Sequence, residues 1–295
     1  MSLDAIREFS LDQWQPSPGS LPETGLENIL ESGKVLFFPR LPFRFTKDEQ
    51  RFLSESWSDG KAKNISLRGK ASILQGARGS AEDIGQLRAV IARFAEQAES
   101  LVGGLFPRYE GCLRRGFTSY RTAKVEGRIT SWRKDDTRLH VDSFPSNPTG
   151  GLRLLRVFTN VNPSGLPRVW RVGEPFAEHA RRFFPRASRP LPGYAWLLDR
   201  LGITKSRRSE YDHYMGRLHD LGKADLDYQR GSPQVTFEFP AGSTWVVYSD
   251  QVLHAVMAGQ FMLEQTFYLE PEHLVDPAAG PLGILESLAG HPLRP

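Results

Sequence analysis

One cysteine, Cys112, stands in the whole chain. That excludes an internal disulfide and any zinc finger, both of which need several thiols or imidazoles at fixed spacing. No apolar run approaches the ~20 residues needed to cross a bilayer. The stretch Met1-Ser-Leu-Asp-Ala-Ile-Arg-Glu-Phe-Ser10 has neither a basic nor an apolar signal region, so the expected compartment is the cytoplasm. Internal repeats, low-complexity tracts, Ser-His-Asp signatures, glycine-rich phosphate loops and dinucleotide fingerprints are all missing. No basic helix is interleaved with stacking aromatics, which argues against a nucleic-acid partner.

What is present describes a globular protein. Hydrophobic residues make up 39% and charged residues 24%, and 295 residues suffice for one large domain with a buried core. The net charge is only +4, yet the pI is about 9.2. Basic residues cluster at 61–70, at Arg114-Arg115, and at 121–138, 181–189 and 205–208. A solvated face explains such clusters. So would an acidic substrate or an anionic membrane surface.

Periodicity gives the element order. Lys34-Val-Leu-Phe-Phe38 reads as a buried strand stopped by Pro39. Thr46-Lys-Asp-Glu49 has the form of a capping box, with Phe52, Leu53 and Trp57 on a helical face beyond it. The clearest helix spans 82–102, with Leu87, Val90, Ile91, Phe94, Ala98, Leu101 and Val102 at helical spacing and Gly103-Gly104 as its stop. From Gly116 the texture changes to strands, at 116–123, 129–132, 152–161, 234–239, 244–248 and 265–269. A helical stretch within 163–231 includes 210–221. The expectation is one α+β, mainly β domain over 1–295. Residues 1–110 give a supporting helix and strand layer. Residues 111–275 give a double-stranded β-helix (jelly-roll) core with a helical insert at about 163–231, and 276–295 a tail.

The chemistry centres on Arg138-Leu-His-Val-Asp142. On a strand, His140 and Asp142 point to one face. The triplet alone is weak evidence, because a satisfied histidine beside a turn-capping Asp is common. His254 strengthens it. It follows the strand–turn–strand run Phe239-Pro-Ala-Gly-Ser-Thr-Trp-Val-Val-Tyr248, 114 residues beyond His140, where a jelly roll brings opposite sides together. Two imidazoles and one carboxylate leave adjacent metal positions open, as in non-haem Fe(II) oxygenases; a 2-oxo acid and O2 would fill them. A zinc hydrolase or a sugar-binding jelly roll remains as an alternative.

A 2-oxoglutarate enzyme also needs a cation for the distal carboxylate. The strand after His254, Met262-Leu-Glu-Gln-Thr-Phe-Tyr-Leu269, carries no Arg or Lys. Gly151-Leu-Arg-Leu-Leu-Arg-Val-Phe158 does. Arg156 shares a face with Leu154 and Phe158, and a core-facing guanidinium must be paired, so Arg156 is the candidate. Tyr120 from a neighbouring strand is a second candidate for the same carboxylate. Gln265 and Thr266 are candidate polar donors behind the ligands. For the substrate, position alone nominates Arg128, Arg133 and Lys134, with His219 and Lys223 on a lid helix. His179, His273 and His291 read as structural or solvent-exposed.

Longer segments carry a family resemblance. His140-Val-Asp-Ser-Phe-Pro-Ser-Asn-Pro-Thr-Gly-Gly-Leu-Arg153, Arg156-Val-Phe-Thr-Asn-Val-Asn-Pro163, Arg217-Leu-His-Asp220 and His254-Ala-Val-Met-Ala-Gly-Gln-Phe-Met-Leu-Glu-Gln-Thr-Phe-Tyr268 resemble those of the Kdo hydroxylases. The resemblance runs from about Gly33 to Leu274. It implies a double-stranded β-helix with Fe(II) on His140, Asp142 and His254, and with 2-oxoglutarate and O2 as co-substrates. It implies hydroxylation of Kdo (3-deoxy-D-manno-octulosonic acid) at carbon 3 to Ko, in a lipopolysaccharide precursor that carries Kdo on lipid A. A basic rim suits an acidic sugar and lipid phosphates. Arg181-Arg-Phe-Phe-Pro-Arg-Ala-Ser-Arg189, cations among aromatics, reads first as a helix end over a buried Phe pair, and is also a candidate contact with the anionic inner-membrane surface.

Overall fold

A computed structural model describes residues 4–16, 25–68, 74–127 and 130–294. In chain order the elements are β1 (Ile6–Glu8), α1 (Leu26–Glu31), β2 (Val35–Phe38), β3 (Ile65–Leu67), β4 (Leu74–Gln75), α2 (Ala81–Leu105), β5 (Arg114–Arg121), β6 (Arg153–Asn160), β7 (Arg168–Gly173), α3 (Phe176–Phe183), α4 (Tyr194–Arg200), α5 (Glu210–Ala224), α6 (Leu226–Gly231), β8 (Gln234–Phe239), β9 (Thr244–Tyr248), β10 (His254–Ala258), β11 (Met262–Leu269) and α7 (Pro281–Ala289).

Two sheets face each other. The larger has the order β1-β2-β9-β6-β11-β5-β3-β4, the smaller β10-β7-β8, and pairing within them is antiparallel apart from β1 with β2. A reciprocal bridge between His140 and His254 sets residues 139–141 beside β10, at that edge of the small sheet. This is the jelly-roll arrangement expected from the strand count.

Alternation along β6 explains why all eight of its residues are buried. Leu155 and Val157 face outward, into a cluster with Leu87, Ile91, Phe94 and Leu101 of α2. Phe158 faces inward, with Trp170, Phe239 and Trp245 between the sheets. A strand covered on both faces must also pair every polar group it carries, as Arg153, Arg156, Thr159 and Asn160 do. Phe158 stacks on Trp245 at 5.4 Å and Trp245 on Phe239 at 4.1 Å, so the sheet interior is an aromatic stack.

Four expectations need correction. Gly103-Gly104 do not stop α2, which runs to Leu105 and ends where Phe106, held out of the helical region, precedes Pro107. A Cβ on Gly104 would lie 2.6 Å from Pro16 Cγ, so its smallness serves close packing instead. The capping box does form, with Thr46 N–H donating to Glu49 at 2.8 Å, but it opens only a short 3₁₀ turn, Glu49–Phe52. Thr130 to Trp132 are not a strand, and Ile129 lies outside the described residues. The helical insert begins after β7, because Arg168–Gly173 is the middle strand of the small sheet.

Candidate metal centre

His140 and His254 come together through the backbone first. Each donates its N–H to the other's carbonyl, at 3.0 and 2.9 Å, and Asp142 N–H donates to the Ser249 carbonyl at 2.8 Å. Leu139 and Val141 turn into the core, so His140 and Asp142 turn together toward the space between the sheets. One ligand-capable atom from each of His140, Asp142 and His254 lies within 4.8 Å of the others.

The imidazoles are oriented for lone-pair donation. Nδ1 of His140 is 2.7 Å from the Arg138 carbonyl, and Nδ1 of His254 is 2.8 Å from the Val252 carbonyl. A carbonyl only accepts, so each Nδ1 carries the proton and each Nε2 keeps its lone pair. Burial drives both histidines toward the neutral form, and for His140 the neighbouring His254 adds to it. Trp170 stacks on the His254 ring at 5.0 Å and fixes its plane. Burial works against the charge on Asp142, but the Arg156 guanidinium, the two histidines and a Ser249 hydrogen bond together hold the carboxyl well below the usual range. Oδ2 of Asp142 is buried and accepts no aligned hydrogen bond, although Arg156 Nη1 is 3.0 Å away. Two neutral imidazoles and an ionised carboxylate with an unsatisfied oxygen fit a divalent first-row metal.

A cavity of about 290 Å3 adjoins this cluster, lined among others by Arg121, Arg156, Phe158, Glu264, Thr266 and Tyr268. Arg156, the candidate for the distal carboxylate, lines this cavity. It faces the cavity beside the three candidate ligands, with Nη1 also 3.1 Å from Glu264 Oε1. Arg153 points the other way. Buried beneath the large sheet, it donates to Asp250 at 2.7 Å and lies 3.9 Å over the Tyr248 ring. Thr266 reaches the cavity, but its neighbour Gln265 does not, because adjacent strand residues face opposite ways: Gln265 accepts from Thr118 at 2.6 Å on the α2 side. Tyr120 is likewise turned into that core, with its hydroxyl donating to the Phe52 carbonyl at 2.9 Å. Neither Tyr120 nor Gln265 can touch a molecule in the cavity.

Sequence reasoning passed over Glu264 and Arg121. Arg121 Nε donates to Glu264 at 3.0 Å, so two guanidiniums grip one buried carboxylate. Burial opposes that charge, and Arg121 followed by Arg156 overcomes it, keeping Glu264 ionised. The signal was available: Glu264 is the lone acid in an apolar strand, where a charge must find cations.

A second, larger cleft of about 1540 Å3 opens onto the same centre, since both are lined by Lys63, Asp136, His140, Asp142 and Phe144. Arg133, Lys134, His219 and Lys223 all line this cleft. Arg133 pairs with Asp220 at 3.0 Å, His219 meets the His140 ring edge-on at 5.6 Å, and Lys223 Nζ donates to the Arg133 carbonyl at 3.0 Å. Arg128 lies outside the described residues. His179 is buried against Tyr228 and away from both cavities, as a structural histidine.

A family model described as 3-deoxy-D-manno-oct-2-ulosonic acid (Kdo) hydroxylase matches residues 13–292. Among solved structures, the chain is similar to the Kdo hydroxylase KdoO, described as a non-haem Fe(II) α-ketoglutarate-dependent dioxygenase. Against its complex with α-ketoglutarate and Fe(III) the identity is 47% and the TM-score 0.93, covering 99% of this chain and 98% of the other. Against its cobalt(II) complex the values are 48% and 0.93, with 98% and 97% covered. Against its complex with succinate and Fe(III) they are 47% and 0.92, again with 98% and 97% covered. No curated protein sequence matches the chain. With the family pattern spanning nearly the whole length, and a buried His-Asp-His cluster beside a guanidinium-lined cavity, the chain belongs to the Kdo hydroxylase family.

Proposed function

We propose that this protein is an Fe(II)- and 2-oxoglutarate-dependent dioxygenase that hydroxylates Kdo at carbon 3, giving Ko, within a lipopolysaccharide precursor that carries Kdo on lipid A. The observation that carries the reading is the His140–Asp142–His254 cluster set against Arg156, in a chain 47% identical to a Kdo hydroxylase. The reaction balances as acceptor C–H plus 2-oxoglutarate plus O2 giving acceptor C–OH, succinate and CO2.

His140, Asp142 and His254 would hold the iron. A bound iron would supply open positions for a bidentate 2-oxo acid and for O2, with the chemistry of O2 activation. The chain's own work is orientation. Nδ1–H bonds to the Arg138 and Val252 carbonyls fix which imidazole nitrogen faces the metal. Arg156 offers a guanidinium to the distal carboxylate of 2-oxoglutarate, and Glu264, held from the far side by Arg121, fixes where that guanidinium sits. Thr266 is a polar wall of the same cavity. Arg133, Lys134, His219 and Lys223 line the open cleft where an acidic sugar would enter, and Phe158 and Trp170 close the dry side.

A lipid-linked acceptor would place the protein at the cytoplasmic face of the inner membrane. In support, no helix among the described residues is long and apolar enough to cross a membrane, and basic residues crowd the cleft rim.

The decisive experiment has two readouts. Anaerobic addition of Fe(II) and 2-oxoglutarate should give a visible metal-to-ligand charge-transfer band. Incubation with Kdo-lipid A in air should then add one oxygen atom to the sugar by mass spectrometry, with stoichiometric succinate. A band without sugar oxidation would leave an oxygenase acting on another acidic substrate. Sugar binding with no band and no succinate would make the protein a binding module.

A further inference from the structure

Ten large apolar side chains are exposed among the described residues, and six of them fall between positions 191 and 203. They are Leu191, Tyr194, Trp196, Leu197, Leu201 and Ile203, on α4 and its two flanks, with exposures of 71% at Leu191, 62% at Leu201 and 56% at Trp196. In α4 itself only Leu198 is buried. A soluble chain seldom gathers so many large apolar groups on one short segment without something to cover them.

The charges around the segment are nearly all of one sign. Arg181, Arg182, Arg186 and Arg189 precede it, and Arg200, Lys205, Arg207 and Arg208 lie in or after it, against the single acid Asp199 within 181–209. Several of these cations are occupied: Arg181 by Glu178, Arg186 by Asp225, and Arg208 by the Pro145 carbonyl. Arg189, Arg200, Lys205 and Arg207 make no ion pair among the described residues. An apolar tip containing Trp and Tyr, ringed by unneutralised Arg and Lys, matches the interfacial zone of an anionic bilayer, where apolar groups enter the acyl boundary and cations meet headgroup phosphates. The same ring of positive charge opposes a second copy of the chain as the occupant.

Placement adds the second argument. Leu191, Tyr194 and Ile203 also line the large cleft, the one that ends at His140 and Asp142. The apolar tip is therefore continuous with the route to the metal centre. We infer that α4 and its flanks, residues 191–203, dock on an anionic lipid surface and set the cleft mouth at the membrane, so that a lipid-linked acceptor enters without leaving the bilayer. The last clause rests on the proposed function; the docking itself does not.

The test uses the full chain and sucrose-loaded vesicles of phosphatidylcholine, with or without phosphatidylglycerol, at low and high salt. The wild type is expected to sediment with the anionic vesicles and to release as salt rises. The triple variant W196S/L197S/L201S, which changes exposed groups outside the cleft lining, should bind at least tenfold more weakly. The pair R200A/R207A should weaken binding by about fivefold per removed cation. A control variant, L226S, alters an exposed leucine on α6 and should bind as the wild type does. Absence of wild-type binding, equal binding to neutral vesicles, or unchanged binding by the triple variant would overturn the inference. So would self-association in light scattering that the triple variant abolishes, which would assign the patch to a second copy. The charge-transfer band is read on the same samples. A band without vesicle binding sinks the docking alone, whereas vesicle binding without a band sinks the oxygenase reading alone.

Discussion

Nη1 of Arg156 stands 3.0 Å from Oδ2 of Asp142, so the cation assigned to 2-oxoglutarate and the carboxylate assigned to iron form an ion pair with each other. The guanidinium helps keep the buried Asp142 carboxylate ionised. The two halves of the site are thus electrostatically linked before any ligand is considered.

Replacing the carboxylate should abolish the metal site while leaving the barrel. Loss of a residue that merely orients a ligand costs metal affinity ten- to a hundredfold, so Asp142→Ala should cost about a hundredfold or more. Anaerobic Fe(II) titration, followed by the charge-transfer band, measures it. Retention of the band would remove Asp142 from the ligand set.

Arg156→Ala should raise the KM for 2-oxoglutarate and lower stability together. Removing one side of a buried pair leaves Asp142 and Glu264 without a shared cation, at a cost of about 3 kcal/mol. Arg156→Lys should recover part of the stability but little of the KM, because an ammonium cannot present two parallel donors. Equal KM values for wild type and Arg156→Ala would break the assignment. Glu264→Gln should shift the 2-oxoglutarate KM in the same direction, by loosening the guanidinium that Glu264 positions.

In the cleft, Arg133 and Lys134 are assigned to the acidic acceptor. Arg133 is largely exposed, so water screens its charge and each replacement by Ala should raise the acceptor KM only about threefold to fivefold. The acceptor KM is compared with that of 2-oxoglutarate. An equal rise in both would indicate a distorted cleft rather than lost recognition.

His179 gives a pH dependence with a definite sign. Burial, followed by the nearby Arg182 charge, pushes its value down to about 4 from an ordinary 6.5. Between those values the unfolded chain binds a proton that the folded chain refuses. Stability therefore falls as pH drops from about 6.5 toward 4, by about 3 kcal/mol for this group. His179→Gln should flatten the slope of Tm against pH in that window relative to wild type. An unchanged slope would place the titration elsewhere.

Elements with a regular apolar spacing or an unbroken apolar run were legible in the sequence. The apolar stripe of α2 and the strands β6, β8 and β9 come directly from spacing, and His140-Val-Asp142 from the two-residue period of a strand. Arg156 over Arg153 followed from strand alternation, with Phe158 marking the inner face. Elsewhere local pattern gave too little. Tyr120 and Gln265 were assigned to the cavity by residue type, without fixing which face of β5 and β11 is which; Phe267 and Leu269 beside Gln265 mark the outer face. Strand β7 went unseen because Arg168 and Arg171 interrupt its apolar pattern, and only the fold shows both held by backbone carbonyls. The pairing of Glu264 is illegible without the fold, because the two cations that pair with it come from the neighbouring strands β5 and β6.

The reciprocal backbone bridge between His140 and His254 bears on how the metal comes and goes. Bringing together points 114 residues apart costs roughly 4 kcal/mol of chain entropy beyond a fixed constant. Main-chain bonds and the surrounding sheets can meet that cost without an ion. Iron would be a passenger of a finished barrel rather than a staple that closes it. A chelator should then strip the ion reversibly and leave the melting temperature nearly where it was, unlike a domain whose fold waits for its metal.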